Sequence, residues 1–146
     1  MKSILLVDDE VAIAVQLQES LQRFGYQVEA AHTFESALDA ISNAHFDAIL
    51  VEFNLRSERG AKPRAGNGPK LVSQLRARGI TAPILMLTVM EGQLYDSASR
   101  DAGADALILK PIPIRDLVSR LRSHICRHEQ DLGQSTAPQN LASDRR

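Results

Sequence analysis

The sequence predicts a doubly wound α/β domain built on a five-stranded parallel sheet. Three observations carry that expectation: five short apolar runs recur along the chain, a segment of helical period follows each, and the runs are continuous rather than alternating. Parallel strands are covered on both faces, because each crossover lays a helix against the sheet, so they read as unbroken apolar runs.

The elements follow in order. Residues 4–7 (ILLV) are the first strand, and residues 11–24 then place Ala14, Leu17, Leu21 and Phe24 on one helical face before the stop at Gly25. Residues 26–31 form the second strand. Thr33 is an N-cap type of residue for a helix with Phe34, Ala37, Leu38 and Ile41 at i, i+3, i+4 and i+7. The third strand covers residues 48–51, and Leu71, Val72 and Leu75 mark a third helix that stops near Gly79. A fourth strand, residues 84–87, follows Pro83, with a helix over about 92–101 behind it. Residues 106–109 close the strand series. Pro113 suits the first turn of a last helix that aligns Ile114, Leu117, Val118, Leu121 and Ile125.

A length of 146 residues fits one domain, and 44% apolar residues can fill its core. Seventeen basic against eighteen acidic residues leave a net charge of -1, which gives no global attraction to nucleic acid or to an anionic membrane. Acids follow the first apolar run too soon for a signal peptide, and no run approaches a membrane span, so a cytoplasmic protein is expected. Cys126, the single cysteine, forms no internal disulfide and fits a reducing compartment.

The expected domain covers residues 1–128. Within it, residues 56–68 are a glycine-rich basic loop carrying Arg56, Arg59, Lys62 and Arg64 against Glu58, and residues 129–146 read as a flexible tail with few apolar anchors. No nucleic-acid-binding motif follows the last strand and helix, so direct DNA contact is not expected. His124 and His128 stand four apart on one helix face without a further ligand near them in sequence, which argues against a metal there.

Ligand sites in open α/β sheets lie beyond the carboxyl ends of the strands. After the first strand come Asp8, Asp9 and Glu10; after the third, Glu52 and Asn54; after the fourth, Thr88; after the fifth, Lys110 and Pro111. Parallel strands bring these together as a cluster of acids with one hydroxyl and one ammonium. Such a group suits Mg²⁺ with a phosphoryl oxygen, and the chemistry it implies is phosphoryl transfer or phosphate sensing.

The runs LLVDDE (5–10), DAILVEFNL (47–55), LMLTV (85–89) and GADALILKP (103–111), in this order, resemble the receiver domain of two-component response regulators. The resemblance covers about residues 1–125. It implies a flavodoxin-like fold with strand order 2-1-3-4-5 and five helices, and a cis bond between Lys110 and Pro111. It also implies metal binding by Asp8 and Asp9 with the backbone carbonyl of Asn54, a switch hydroxyl on Thr88, and a phosphoryl contact from Lys110. Glu52 occupies the place of the phosphoacceptor aspartate, and Leu107 that of a switch aromatic.

Glu52 is longer than aspartate by one methylene, and a misplacement of about 1 Å can cost roughly 100-fold in rate. Three readings follow: a receiver that signals without phosphorylation through a Glu52 to Lys110 contact, a binding module whose site has lost meaning, or a slow phosphoacceptor at Glu52 or Asp9. Expected partners are proteins, namely a histidine kinase, a phosphorelay component or an output protein, with either a monomer or a homodimer. The chain is expected to be no enzyme. The rival reading is a phosphotransfer hydrolase of the haloacid dehalogenase type, which lacks its Asp-x-Asp here because the chain has Asp8-Asp9-Glu10.

Overall fold

The computed structural model describes residues 1–55 and 67–144, with side chains described as far as Gly133. Strands and helices alternate: β1 (Ser3–Val7), α1 (Val11–Arg23), β2 (Gln27–Ala31), α2 (Phe34–Asn43), β3 (Ala48–Glu52), α3 (Asn67–Ala77), β4 (Ile84–Thr88), α4 (Gln93–Ala102), β5 (Ala106–Leu109) and α5 (Ile114–Asp144). All strand pairs are parallel, and the sheet order is β2-β1-β3-β4-β5. This is the flavodoxin-like arrangement that the strand pattern and the resemblance implied.

Alternate residues of each buried strand feed opposite sides of the sheet, as the period of two requires. Leu5, Val7, Ile49, Val51, Ile84 and Met86 pack with Ala37 of α2 and with Leu71, Val72 and Leu75 of α3. Ile4, Leu6, Ala48, Leu50, Leu85 and Leu87 meet Ala14 and Leu21 of α1 and Leu117, Val118 and Leu121 of α5 on the other side. Each fully buried Val, Leu, Ile or Met among them is worth about 1.5–3 kcal/mol. The central strands β1, β3 and β4 are therefore the rigid base from which the loops of the carboxyl edge project.

Local chemistry sets the helix ends. The Thr33 hydroxyl accepts from the Ser36 amide at 3.1 Å while the Ser36 hydroxyl accepts from the Thr33 amide at 3.0 Å, a reciprocal cap at the start of α2. Gly25, at φ 95°, ends α1 in a left-handed conformation open to glycine. Pro113 lies just before α5 rather than in its first turn, and its carbonyl accepts from Asp116 and Leu117.

Several boundaries differ from expectation. Strands β3 and β4 each run one residue further, so that Glu52 and Thr88 are still held in the ladder. The helix α3 begins at Asn67, which makes the last two residues of the expected 56–68 loop helical; residues 56–66, with Arg56, Arg59, Lys62 and Arg64, lie outside the described residues. Finally, α5 does not stop at residue 128 but continues to Asp144 through the segment expected to be a tail. Lys2 holds the first turn of that continuation, its ammonium 2.7 Å from a Glu129 carboxylate oxygen. Among the described residues, no helix is long and apolar enough to cross a membrane.

Candidate functional site at the carboxyl edge of the sheet

The strand ends of β1, β3, β4 and β5 converge as the topology requires. Parallel register places Val7 beside Val51, Glu52 beside Leu87, and Thr88 beside Leu109. Asp8 and Asp9 thus leave the sheet next to Glu52, and Lys110 leaves it next to Thr88. The Lys110 amide donates to the Thr88 carbonyl at 2.7 Å, which extends the β4–β5 ladder to the lysine and aims its side chain inward.

At the centre, Lys110 Nζ donates to Glu52 Oε2 at 2.6 Å and stands 3.9 Å from Asp8 Oδ2. Asp8, Asp9, Glu52 and Thr88 are all buried. Burial raises the Glu52 carboxyl above its ordinary pKa; the Lys110 hydrogen bond and charge oppose the shift, and Asp8 and Asp9 add to it. Burial likewise raises Asp8, against a hydrogen bond from the Glu10 amide and the charge of Lys110. Lys110 thus lies between the Glu52 and Asp8 carboxyl groups in a partly dry site.

The remaining predicted residues take separate places. Thr88 Oγ1 accepts from the Met90 amide at 3.0 Å, and the hydroxyl serves its own loop. Asn54 is half-buried two residues beyond Glu52. Leu107 is half-buried in β5 and packs on the sheet face shared with α2, α3 and α4. The Lys110-Pro111 peptide is cis.

Three further residues support the site without having stood out in the sequence. Gly68 approaches β3 so closely that a Cβ would lie 2.5 Å from the Glu52 carbonyl oxygen and 2.6 Å from that of Phe53, and its amide donates to the latter. His32 Nδ1 lies 3.0 Å from the Asp8 carbonyl oxygen. Tyr95 of α4 meets Phe53, the residue after Glu52, edge to face, with ring centroids 4.9 Å apart. Tyr95 and His32 are isolated in sequence, and Gly68 reads there only as the end of the glycine-rich loop.

Two carboxylates, a backbone carbonyl and water are the oxygen donors that a hard divalent cation takes. Among the described residues no three His, Cys, Asp or Glu side chains converge as metal ligands. Glu52 is turned to Lys110, so a cation at Asp8 and Asp9 would depend on the Asn54 carbonyl and on water.

A buried acid pair, a hydroxyl and a lysine thus stand together at the carboxyl edge of a doubly wound parallel sheet. The chain belongs to the response regulator receiver domain family, whose model matches residues 4–122. It is 36% identical over 130 residues to the response regulator MprA of a Mycobacterium species, covering 89% of this chain and 53% of that protein. The chain therefore spans about half the length of that relative. Among solved structures, a CheY-like receiver domain protein from Methanospirillum hungatei matches with a TM-score of 0.78 and 30% identity, covering 90% of this chain and 98% of that one. A response regulator from Chloroflexus aurantiacus gives 0.73 and 30%, covering 86% and 98%. The chain is thus a receiver domain of two-component signalling, and the hydrolase alternative has no support.

Proposed function

We propose that this receiver signals through protein contacts with its site held in one charge state by Glu52, rather than by ordinary phosphorylation of an aspartate. The observation that carries the reading is the 2.6 Å hydrogen bond from Lys110 to Glu52. A lysine free to meet an incoming phosphoryl oxygen is here engaged by a resident carboxylate, in a charge-assisted bond that partial burial strengthens. Glu52 carries one negative charge where a phosphorylated carboxylate would carry close to two, so its imitation of a phosphorylated site is partial.

In this reading Glu52 stands at the phosphoacceptor position, Lys110 is its fixed partner, and Thr88 and Leu107 form the switch region without an aromatic ring. Asp8 and Asp9, with the carbonyl of Asn54, hold Mg²⁺ when it binds; the ion supplies charge neutralisation for the acid pair. The partners are proteins: a histidine kinase, a phosphorelay component or an output protein. Residues 1–128 form the receiver unit, and the α5 continuation lies beyond it.

Intact mass after incubation with acetyl phosphate and Mg²⁺ tests the reading, with wild type beside Glu52→Asp. The expected result is one phosphoryl group on the Asp variant alone. A phosphoryl group on wild type overturns the reading, and a gain on neither leaves the protein a binding module with a decayed site.

A further inference from the structure

We propose that His32 is a positioning residue for the acid pair: its imidazole fixes the peptide between Asp8 and Asp9 and so sets how tightly that pair holds a divalent cation. His32 Nδ1 stands 3.0 Å from the Asp8 carbonyl oxygen. A carbonyl only accepts, so Nδ1 carries the proton and donates, whether the imidazole is neutral or charged. The contact joins the loop after β2 to the loop after β1 across 24 residues of sequence.

The donor is anchored on both sides. Ala31, the residue before it, ends β2 in register with Val7, and its carbonyl accepts from the Asp8 amide at 3.0 Å. Thr33, the residue after it, is the N-cap of α2 and is locked by its reciprocal bonds with Ser36. The backbone of His32 is therefore held at both ends, and the ring is presented to Asp8 by elements that do not depend on the site. Support of this kind is what keeps a binding group in its working geometry.

Asp8 is in turn engaged at every polar group. Its amide donates to Ala31, its carbonyl accepts from His32, its Oδ1 accepts from the Glu10 amide at 2.9 Å, and its Oδ2 faces Lys110 at 3.9 Å. The Asp8 carbonyl lies in the same rigid peptide plane as the Asp9 nitrogen, so turning that plane moves the Asp9 side chain relative to Asp8. Of these four contacts, the one with His32 is made at that plane. Glu52 is turned to Lys110, which leaves a cation at Asp8 and Asp9 dependent on how those two carboxylates are oriented. Partners that orient metal ligands from outside are worth about 10–100-fold in affinity. The inference rests on the reading that Asp8 and Asp9 hold Mg²⁺, and it is independent of the charge state of Glu52.

Amide NMR of the full chain tests it in two arms, with wild type beside His32→Ala and His32→Asn. The asparagine side chain places an N–H donor, Nδ2, as many bonds from the backbone as Nδ1. In the first arm Mg²⁺ is titrated and followed at the Asp9 and Asn54 amides. His32→Ala should bind roughly tenfold or more weakly, and His32→Asn should return close to the wild-type affinity. The second arm is hydrogen exchange without metal. The Glu10 amide, bonded to Asp8 Oδ1, should exchange faster in His32→Ala and recover in His32→Asn. The Ile49 amide, bonded to Pro83 at the far end of the sheet, should keep its rate in all three, which separates local positioning from a general loss of stability. Unchanged Mg²⁺ affinity in His32→Ala overturns the proposal, as does a His32→Asn variant as weak as His32→Ala. If wild type shows no Mg²⁺ shift, the metal reading falls; faster Glu10 exchange restored by His32→Asn then upholds the positioning role, and unchanged exchange overturns it.

Discussion

Glu52 Oε2 accepts a hydrogen bond of 2.6 Å from Lys110 Nζ across two strand ends separated by 58 residues of sequence. The contact is held from both sides. Glu52 is the last residue of β3 in register with Leu87, and the Lys110 amide is tied to the Thr88 carbonyl. The backbone therefore fixes the two side-chain origins, and the added methylene of Glu52 lets the carboxylate reach the ammonium directly. With both side chains mostly shielded, 11% and 22% exposed, the pair is worth more than a surface ion pair, whose usual value is about 0–1 kcal/mol.

Lys110→Met should therefore destabilise the fold. It keeps the length of the side chain but leaves the Glu52 carboxylate buried without its donor, a defect that costs about 1–3 kcal/mol or more for a charged group. Adding Glu52→Gln removes the stranded charge, so the double variant should recover part of the loss. A urea denaturation cycle over the wild type, both single variants and the pair gives the coupling directly. Strict additivity would mean that the contact contributes nothing in solution.

The same carboxyls set a pH dependence of definite sign. Asp8 and Glu52 have folded-state pKa values raised above 3.8 and 4.5, so the native state holds their protons more tightly than the unfolded chain. Their contribution is full below those ordinary values and is lost as pH rises through the raised folded values. Glu52→Gln removes one of these groups. The stability difference between that variant and wild type, measured by urea melts in chelator, should shift in the variant's favour as pH climbs from about 4.5 toward neutrality. A difference that moves the opposite way would show that Lys110 outweighs burial at Glu52.

The fold was readable because its strands are short, continuous and apolar, and because residues such as Thr33 and Gly25 punctuate the helices with ordinary cap chemistry. The cluster of Asp8, Asp9, Glu52, Thr88 and Lys110 was readable because topology alone sends the ends of parallel strands to one edge. Side-chain choices within the cluster were not. That Thr88 would serve the Met90 amide, that Tyr95 would stand against Phe53, and that Ser99 would be buried without a partner depend on helix rotation and rotamers, which periodicity does not encode. The continuation of α5 to Asp144 was missed for a different reason. Few apolar anchors argue against a packed element but not against a helix, since one that starts on a packed face adds hydrogen bonds residue by residue after its nucleus has formed.

Gly68 and Gly133 should respond in opposite directions to the same change. An alanine Cβ at 68 would lie 2.5 Å and 2.6 Å from two backbone carbonyl oxygens at the end of β3, atoms that cannot move without displacing Glu52. Gly68→Ala should lose about 1–3 kcal/mol, as overpacking does. At Gly133, inside α5, a Cβ meets nothing within 4 Å, and Gly133→Ala should gain roughly 0.5–1 kcal/mol from helix propensity. Thermal melts of the two variants beside wild type decide the point, and a neutral Gly68→Ala would mean that α3 does not hold β3 this tightly.

Phe53 and Tyr95 form the ring contact that joins the residue after Glu52 to α4. Leu107 stands half-buried in β5 and offers no ring, so this edge-to-face pair is the aromatic link between the site and that helix among the described residues. Such pairs contribute about 0.5–1.5 kcal/mol beyond the area they bury. A cycle of Phe53→Leu, Tyr95→Leu and the double variant should return a coupling in that range. If the pair also transmits the state of Glu52, then Glu52→Gln should change the amide shifts of Tyr95 and Ala98 in the wild-type background and leave them nearly still when Tyr95 is Leu. Shifts that persist unchanged in the Tyr95→Leu background would show that α4 senses the site through Thr88 and the β4–α4 loop, with the ring pair serving only to pack the core.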